Sequence, residues 1–328
     1  MIPVFKPLIS KQGLDEVIGT LKSGWWGQGP KVQEFEKRFA QFVGAKYAVA
    51  TNSCTAALDI AVRLVPFKNP VTVPAFTFVS SALAPLNAGY RLEFVDINEE
   101  TLCADYADII VHYGGNSAGE GTVHDMAHCA GTKHKDPISC WSFHAVKNLP
   151  CGDGGMITFN DRILYEKAKA LAWCGIDKST WGRTGKRYSW DYDIKDKGLK
   201  ASMNDITATI GLDGLRNLRK YNQRRREIAY LYTKWLPKIA KKHKSATWHL
   251  YTIRVPQRDE LIDYLGDRGI ATSVHYKPLY YYPIFGKQKK LPITEKIFKE
   301  ILTLPMFPEL KNREVKYICE KIKEFFGN

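Results

Sequence analysis

No apolar run in this chain is long enough to span a bilayer, and the opening Met1-Ile-Pro-Val-Phe-Lys lacks a basic stretch followed by a continuous apolar segment. A membrane-spanning helix is thereby excluded, and a cytoplasmic protein is expected. There is no C-x-x-C pair. The seven cysteines (54, 103, 129, 140, 151, 174, 319) are odd in number and scattered, which fits reduced thiols rather than a disulfide framework or a zinc knuckle. Internal repeats and low-complexity segments are missing. A dinucleotide loop is missing too: the glycines of Ser23-Gly-Trp-Trp-Gly-Gln-Gly-Pro30 are loosely spaced and precede any strand. Acidic residues are the scarcer charge, 34 against 48 basic, for a net +14. The basic excess gathers after Arg183 in helix-forming sequence without a nucleic-acid-binding motif, so Arg224-Arg225-Arg226 is expected to be a solvated helix face. Such a charge equally steers phosphate-bearing small molecules.

What is present is a chain of 328 residues, 45% apolar, with ample material for a large core. Short runs rich in Val, Ile and aromatics predict seven strands at 47–51, 70–76, 91–97, 107–113, 122–126, 138–143 and 155–159. Helices at 53–64 and 78–87 between the first of these make βαβ units, hence a mostly parallel sheet covered on both faces. The intervals 97–107 and 113–122 have no room for a crossover helix, so the sheet looks trimmed there. Further helices are expected at 32–43, 161–173, 204–218 and 221–241. An aromatic and basic loop fills 174–198. The tail reads as α+β, with strands at 249–255 and 270–275 and helices at 259–268, 294–302 and 312–326, the last with Asn312 as N-cap. A domain boundary is expected near Leu218, giving a large unit over 1–218 and a small one over 219–328.

Chemistry concentrates in Cys140-Trp-Ser-Phe-His-Ala-Val-Lys147-Asn-Leu-Pro-Cys-Gly-Asp153 and the Gly154-Gly155 that follow. A lysine near its ordinary pKa of about 10.4 is protonated and a poor nucleophile, so covalent work on carbonyls needs a site that lowers that pKa. The apolar strand leading to Lys147 and the glycines beyond it offer such a setting. In Thr51-Asn-Ser-Cys-Thr-Ala-Ala57 a strand end feeds a helix N-terminus, a ready anion site whose natural guest is phosphate. His124-Asp-Met-Ala-His128 resembles a zinc signature, but it follows a strand and runs into Gly131, so no metal is expected. Asp125, at a strand's C-terminal end, is instead placed to pair with a protonated heterocycle nitrogen. Phe76 or Phe78, at another strand end, could stack on a flat ring.

Together these segments resemble the DegT/DnrJ/EryC1/StrS aminotransferases, enzymes dependent on pyridoxal 5'-phosphate (PLP) that aminate keto sugars attached to nucleotides. The likeness spans nearly the whole chain, from Ser23–Glu36 through Ser53-Cys-Thr-Ala-Ala, Val73 to Ser81, Asp125-Met-Ala-His128, Cys174-Gly-Ile-Asp177 and Asp205 to Leu212, to Arg268-Gly-Ile-Ala-Thr-Ser-Val-His-Tyr276. Ser142-Phe-His-Ala-Val-Lys-Asn148 with the downstream Gly152-Asp-Gly-Gly155 is its most specific part.

The resemblance implies an α/β chain of type I (aspartate aminotransferase-like) fold: a large domain on a mostly parallel seven-stranded sheet, a small C-terminal α+β domain, and a homodimer with shared active sites. It implies that Lys147 carries PLP and shuttles protons, that Asp125 holds the pyridine nitrogen protonated, and that His128 lies near the phenolic oxygen. Phe78 would stack on the ring, while Ser53, Cys54, Thr55 and Ser142 would surround the phosphate. Two departures stand out: Cys54 replaces the usual glycine, and Ser202 stands where an asparagine usually reaches the partner's phosphate. Trp26, Arg183, Lys186, Arg187, Tyr188, Lys200, His275 and Tyr276 are candidates for the nucleotide-diphosphate keto sugar, with L-glutamate the expected amino donor. A dehydratase-type relative would carry histidine in place of Lys147. A non-catalytic PLP-binding relative would keep the fold and lose turnover.

Overall fold

The computed structural model describes residues 1–176, 190–239 and 246–327. All seven expected strands of the first half are present: β1 Tyr47–Thr51, β2 Val71–Pro74, β3 Leu92–Val95, β4 Ile109–Val111, β5 Val123–Asp125, β6 Ile138–Ser142 and β7 Gly155–Phe159. Five of them form a sheet in the order β1-β7-β6-β5-β4, with β4, β5 and β6 parallel and β7 antiparallel to both neighbours. Strands β2 and β3 form a separate parallel pair. The pair is joined to β4 through a side chain. The Asp108 carboxylate accepts from the Thr72 backbone N–H and hydroxyl, both at 2.8 Å, so it takes the place of a ladder bond at this seam.

The sheet is buried on both faces because its strands read apolar in both phases. On one face, helices α3 (Cys54–Leu64), α4 (Ser80–Asn87) and α5 (Arg162–Ala172) share a core with Ile109, Val123, Ile138, Cys140 and Ile157. On the other, α2 (Pro30–Val43) and α6 (Asp205–Trp235) pack on Ala48, Met126, Trp141 and Met156. Ser53, Asp161 and Asn204 cap α3, α5 and α6 with their side chains, each contributing about 1 kcal/mol. The tryptophan-rich segment before α2 is tied to α6, whose Asp205 N–H donates to Trp26 O. The buried Asp205 carboxylate accepts from the N–H groups of Gly29, Lys31 and Val32 and so caps α2 from α6.

The trimmed connections are as expected. Residues between β3 and β4 contain no helix, and β4 leads only to a 3-10 turn at Tyr113–Gly115. A short loop lies directly on the residues that lead into β4: a Cβ at Gly119 would stand 2.2 Å from Ala104 O, and one at Gly121 2.2 Å from Ala107 O.

Several expectations are corrected. The helices expected at 204–218 and 221–241 are one 31-residue helix, α6, because Arg219-Lys220 sits on an unbroken helical pattern with no Gly or Pro to end it. Leu218 therefore lies within α6, whose buried residues up to Leu218 join the sheet core and those from Ile228 onward join the C-terminal core. Helix α1 (Lys11–Lys22), capped by Ser10, was not foreseen. The strand expected at 270–275 makes only isolated bridges, Ile2 to Ile270 and Ser273 to Thr303. Its place is taken by β9 (Ile301–Leu304), antiparallel to β8 (Tyr251–Arg254). Helices α7 (Arg258–Gly266), α8 (Pro292–Glu300) and α9 (Asn312–Phe325) complete the tail, with Lys311 rather than Asn312 at the N-cap of α9.

Candidate active site

A cavity of about 320 Å³ opens where β5 and β6 end and α3 begins. It gathers Ser53, Cys54, Thr55, Phe78, Asp125, His128, Ser142, Lys147, His275 and Tyr276, ten of the residues expected from sequence.

Local structure explains the convergence. Strand β6 points Ile138, Cys140 and Ser142 toward the α3 side, while Trp141 and Phe143 point into the opposite core. Beyond β6, Phe143 N–H donates to Gly154 O and Phe143 O accepts from Cys151 N–H, both at 2.8 Å, which closes off residues 144–150 as an excursion. Lys147 rides on that excursion, in a turn closed by its own N–H to His144 O. Burial pushes its amine down to about 8, with the Asp125 carboxylate acting in the opposite direction. The glycine pair lets this segment meet the α3 turn. A Cβ on Gly155 would stand 2.5 Å from both C and O of Ser53, so Gly155→Ala should displace the turn, destabilise the protein by about 2 kcal/mol and weaken phosphate binding. Thermal melts and phosphate-ester titrations check this.

The α3 turn is built for an anion. Ser53 Oγ accepts from Ala56 N–H at 3.1 Å and Ser53 O from Ala57 N–H, leaving the N–H groups of Cys54 and Thr55 without an acceptor among the described residues. Thr55 and Ser80 share a 2.7 Å hydroxyl pair beside it. Cys54 is buried, its side chain belonging to the core under α3.

Asp125 is buried, and burial raises its carboxyl above the usual range against the hydrogen bonds it accepts. These come from Ser81 Oγ at 2.8 Å and Ala127 N–H at 3.0 Å; Ser81 in turn shares a 3.0 Å pair with Thr77. A cation beside this carboxylate would relieve the cost of burying it. Phe78 stands at the cavity with 56% of its surface exposed among the described residues, a large aromatic face turned to the open side. Phe76, by contrast, is core.

His128 Nδ1 accepts from Gly114 N–H at 3.0 Å, and its Nε2 lies 3.1 Å from Tyr276 Oη. His124 turns elsewhere, toward His112 at 3.0 Å and Asp136 O at 3.1 Å. The remaining wall was not foreseen: Phe5 stacks on His249 at 5.3 Å, and His249 lies 4.3 Å from His128. His249 Nδ1 meets Asn148 Oδ1 at 3.0 Å. Only an apolar start to the chain and a strand-leading histidine marked these positions in sequence.

Three expected residues lie outside this cavity. Trp26 donates its indole N–H to Leu21 O and is 55% exposed, and the Lys200 amine sits 3.4 Å above the Trp173 ring. Ser202 bridges to Thr51 and lines a different cleft, with Glu36, Tyr47 and Tyr165. Arg183, Lys186, Arg187 and Tyr188 lie outside the described residues.

A lysine with a lowered pKa, a buried carboxylate and a helix N-terminus at the ends of the parallel strands β5 and β6 form a set suited to covalent chemistry on a phosphate-bearing carbonyl compound. The chain belongs to the DegT/DnrJ/EryC1/StrS aminotransferase family, whose model matches residues 7–112 and 116–323. It is 35% identical over 376 residues to the spore coat polysaccharide biosynthesis protein SpsC of Bacillus subtilis, covering 98% of this chain and 96% of that one. It is 31% identical over 373 residues to dTDP-4-dehydro-2,3,6-trideoxy-D-glucose 4-aminotransferase of Saccharopolyspora spinosa, covering 99% and 96%. The sugar aminotransferase Spr1654 of Streptococcus pneumoniae, solved in a PLP form, superposes with a TM-score of 0.87 at 28% identity, covering 98% of each chain.

Proposed function

We propose that the protein is a PLP-dependent aminotransferase that moves an amino group from an amino acid, L-glutamate in our reading, to a keto group of a nucleotide-linked deoxyhexose. The observation that carries this is the meeting of Lys147, its amine pushed down to about 8, with the buried Asp125 and the open N-terminus of α3 in one cavity. Those residues fit PLP group by group. The free N–H groups of Cys54 and Thr55 and the hydroxyls of Ser53, Thr55 and Ser142 suit a phosphate, Asp125 a protonated ring nitrogen, and Phe78 a ring face.

Bound PLP would supply an aldehyde carbon able to carry the amino group and a conjugated ring that withdraws electrons from the reacting carbon. The protein's own residues do the rest. Lys147 holds the cofactor and then, released, carries a proton to or from the reacting carbon as general base and acid. Asp125 keeps a positive charge on the ring nitrogen, and Ser81 fixes the carboxylate that does so. Phe78 covers one face and excludes water there. His275 and Tyr276 line the side on which the sugar enters.

In this reading the active unit is a homodimer. Ser202, and Trp173 beneath the Lys200 amine, line a cleft that shares no residue with the Lys147 cavity, and Ser202, Lys200 and the exposed Trp26 would serve the site of a second copy. One relative, the Saccharopolyspora spinosa aminotransferase, is named for a dTDP-linked keto sugar, which supports that substrate class. The buried free cysteines fit a reducing, cytoplasmic setting.

The test is the absorbance of the PLP-reconstituted protein. A visible band should form, move toward the near ultraviolet with L-glutamate, and return with a nucleotide 4-keto-6-deoxyhexose such as dTDP-4-keto-6-deoxyglucose. A protein that takes up no PLP, or whose band answers to no amino donor, is not this enzyme.

A further inference from the structure

We infer that Asn148 and Asn222 are positioning residues for Lys147: two buried side-chain amides, bonded to each other, hold the far end of the Lys147 excursion against the middle of α6 and so set where the amine stands in the cavity. The inference rests on the PLP reading above for what that amine does.

The direction of each bond follows from its partners. A carbonyl oxygen can only accept, so the Asn148 atom 2.9 Å from Thr247 O and the Asn222 atom 2.9 Å from Ala130 O are the amide nitrogens. Asn148 Nδ2 gives its second hydrogen to Asn222 Oδ1, also at 2.9 Å. Asn148 Oδ1 accepts from His249 Nδ1 at 3.0 Å, which places the proton of that buried, neutral ring on Nδ1. Asn222 Oδ1 is approached in addition by the Arg225 guanidinium at 3.4 Å. Asn148 is 2% and Asn222 5% exposed, so removing one amide leaves the other buried without its partner.

Four segments meet at this node: the turn after β5, the excursion, residues 247–249 ahead of β8, and α6 at the point between Leu218 of the sheet core and Ile228 of the C-terminal core. Thr247 adds a bond of its own, from Oγ1 to His128 O at 2.8 Å. The chain leaves room for the pair at Gly131, which sits at φ 118; a Cβ there would stand 2.3 Å from Asn222 Nδ2 and push it off Ala130 O. Leu149 also packs on α6, beside Gly214, but an apolar contact tolerates sliding. Directed hydrogen bonds do not.

Lys147 is the neighbouring residue, so a shift of Asn148 passes straight to it. Freed from the node, the amine would gain water and move back toward the ordinary lysine range, because burial is what lowers it. The titratable groups that face it are Asp125, Cys54 and Cys129 together with His128, His249 and His275, and a change at Asn222 alters none of them.

The test reads the amine in protein without cofactor, as the rate at which acetic anhydride acetylates Lys147 against pH, followed on its own peptide by mass spectrometry. Wild type should show a midpoint of about 8. Asn222→Ala and Asn148→Ala should each raise it by about one unit or more, a tenfold loss of free amine near neutrality, and the double variant no further than the larger single. With PLP and L-glutamate, Asn222→Ala should lower kcat about tenfold or more and change KM by less than about twofold. Ile318→Ala, in the C-terminal core, should melt at a lower temperature yet keep the wild-type midpoint. A midpoint unmoved in the alanine variants, or moved as far by Ile318→Ala, overturns the inference; if one of the pair does not fold, the other decides. A wild type that takes up no PLP sinks the functional reading, and the acetylation midpoints still judge this one.

Discussion

Lys147→Ala should abolish amino transfer, with turnover reduced by about 10⁴-fold or more, and leave no covalently held cofactor after borohydride treatment. Alanine removes the cofactor's anchor and the proton carrier together. The loss is chemical, not structural. The excursion carrying Lys147 is pinned by the Phe143 backbone to Cys151 and Gly154, so the variant should keep the wild-type circular dichroism. The lowered pKa gives a second signature. With its amine near 8, about one Lys147 in ten is unprotonated at pH 7, against about one in 2,500 for a lysine at the reference value of 10.4. The rate at which apoprotein captures PLP should therefore climb from pH 6 and level off above about pH 8. A rate still rising steeply between pH 9 and 10 would mean that burial does not tune this amine.

Asp125→Asn should lower turnover by about 10²- to 10⁴-fold while PLP still binds at its phosphate end. The amide keeps the size of the carboxylate, its oxygen can still accept from Ala127 N–H, and its NH2 can donate to Ser81 Oγ in place of the bond the carboxylate accepts there. It cannot hold a positive charge on a ring nitrogen. The measurement is a comparison of the two half-reactions in single turnover: both should slow, because the charge is needed whenever a proton leaves or returns to carbon. A variant slowed only with the sugar, and not with glutamate, would move Asp125 from the cofactor to the substrate.

Much of this site could be seen in sequence because its parts are local. A lysine in a glycine-closed excursion, a serine-threonine helix start and an acid at a strand end each advertise themselves within a few residues. The seven strands were visible for a similar reason: runs such as Ile138–Ser142 and Gly155–Phe159 are apolar in both phases and bounded by turns. What escaped was set by distant contacts. Phe5 and His249 are 244 positions apart and meet only because the first residues lie along the segment after α7. Strand β9 escaped because Ile301–Leu304 follows α8 without a break and is fixed only by its pairing with β8. The division of α6 failed for the opposite reason, since two different cores cover one unbroken helix.

The bridge from Ile2 to Ile270 also orders events in time. Ile2 N–H donates to Gly269 O at 2.7 Å and Ala271 N–H to Ile2 O at 2.9 Å, so the two ends of a very long stretch of chain are tied beside the cavity. Closing such a loop costs entropy that only later contacts repay. The phosphate turn and the Lys147 segment lean on residues as far as Thr247, through Asn52 N–H to Ala201 O and Asn148 Nδ2 to Thr247 O, whereas the wall of Phe5, His249 and Tyr276 needs the chain beyond 270 as well. A ribosome-bound chain halted before residue 270 would hold a basin open on one side, and a full grip on the cofactor is a product of the last stage of synthesis.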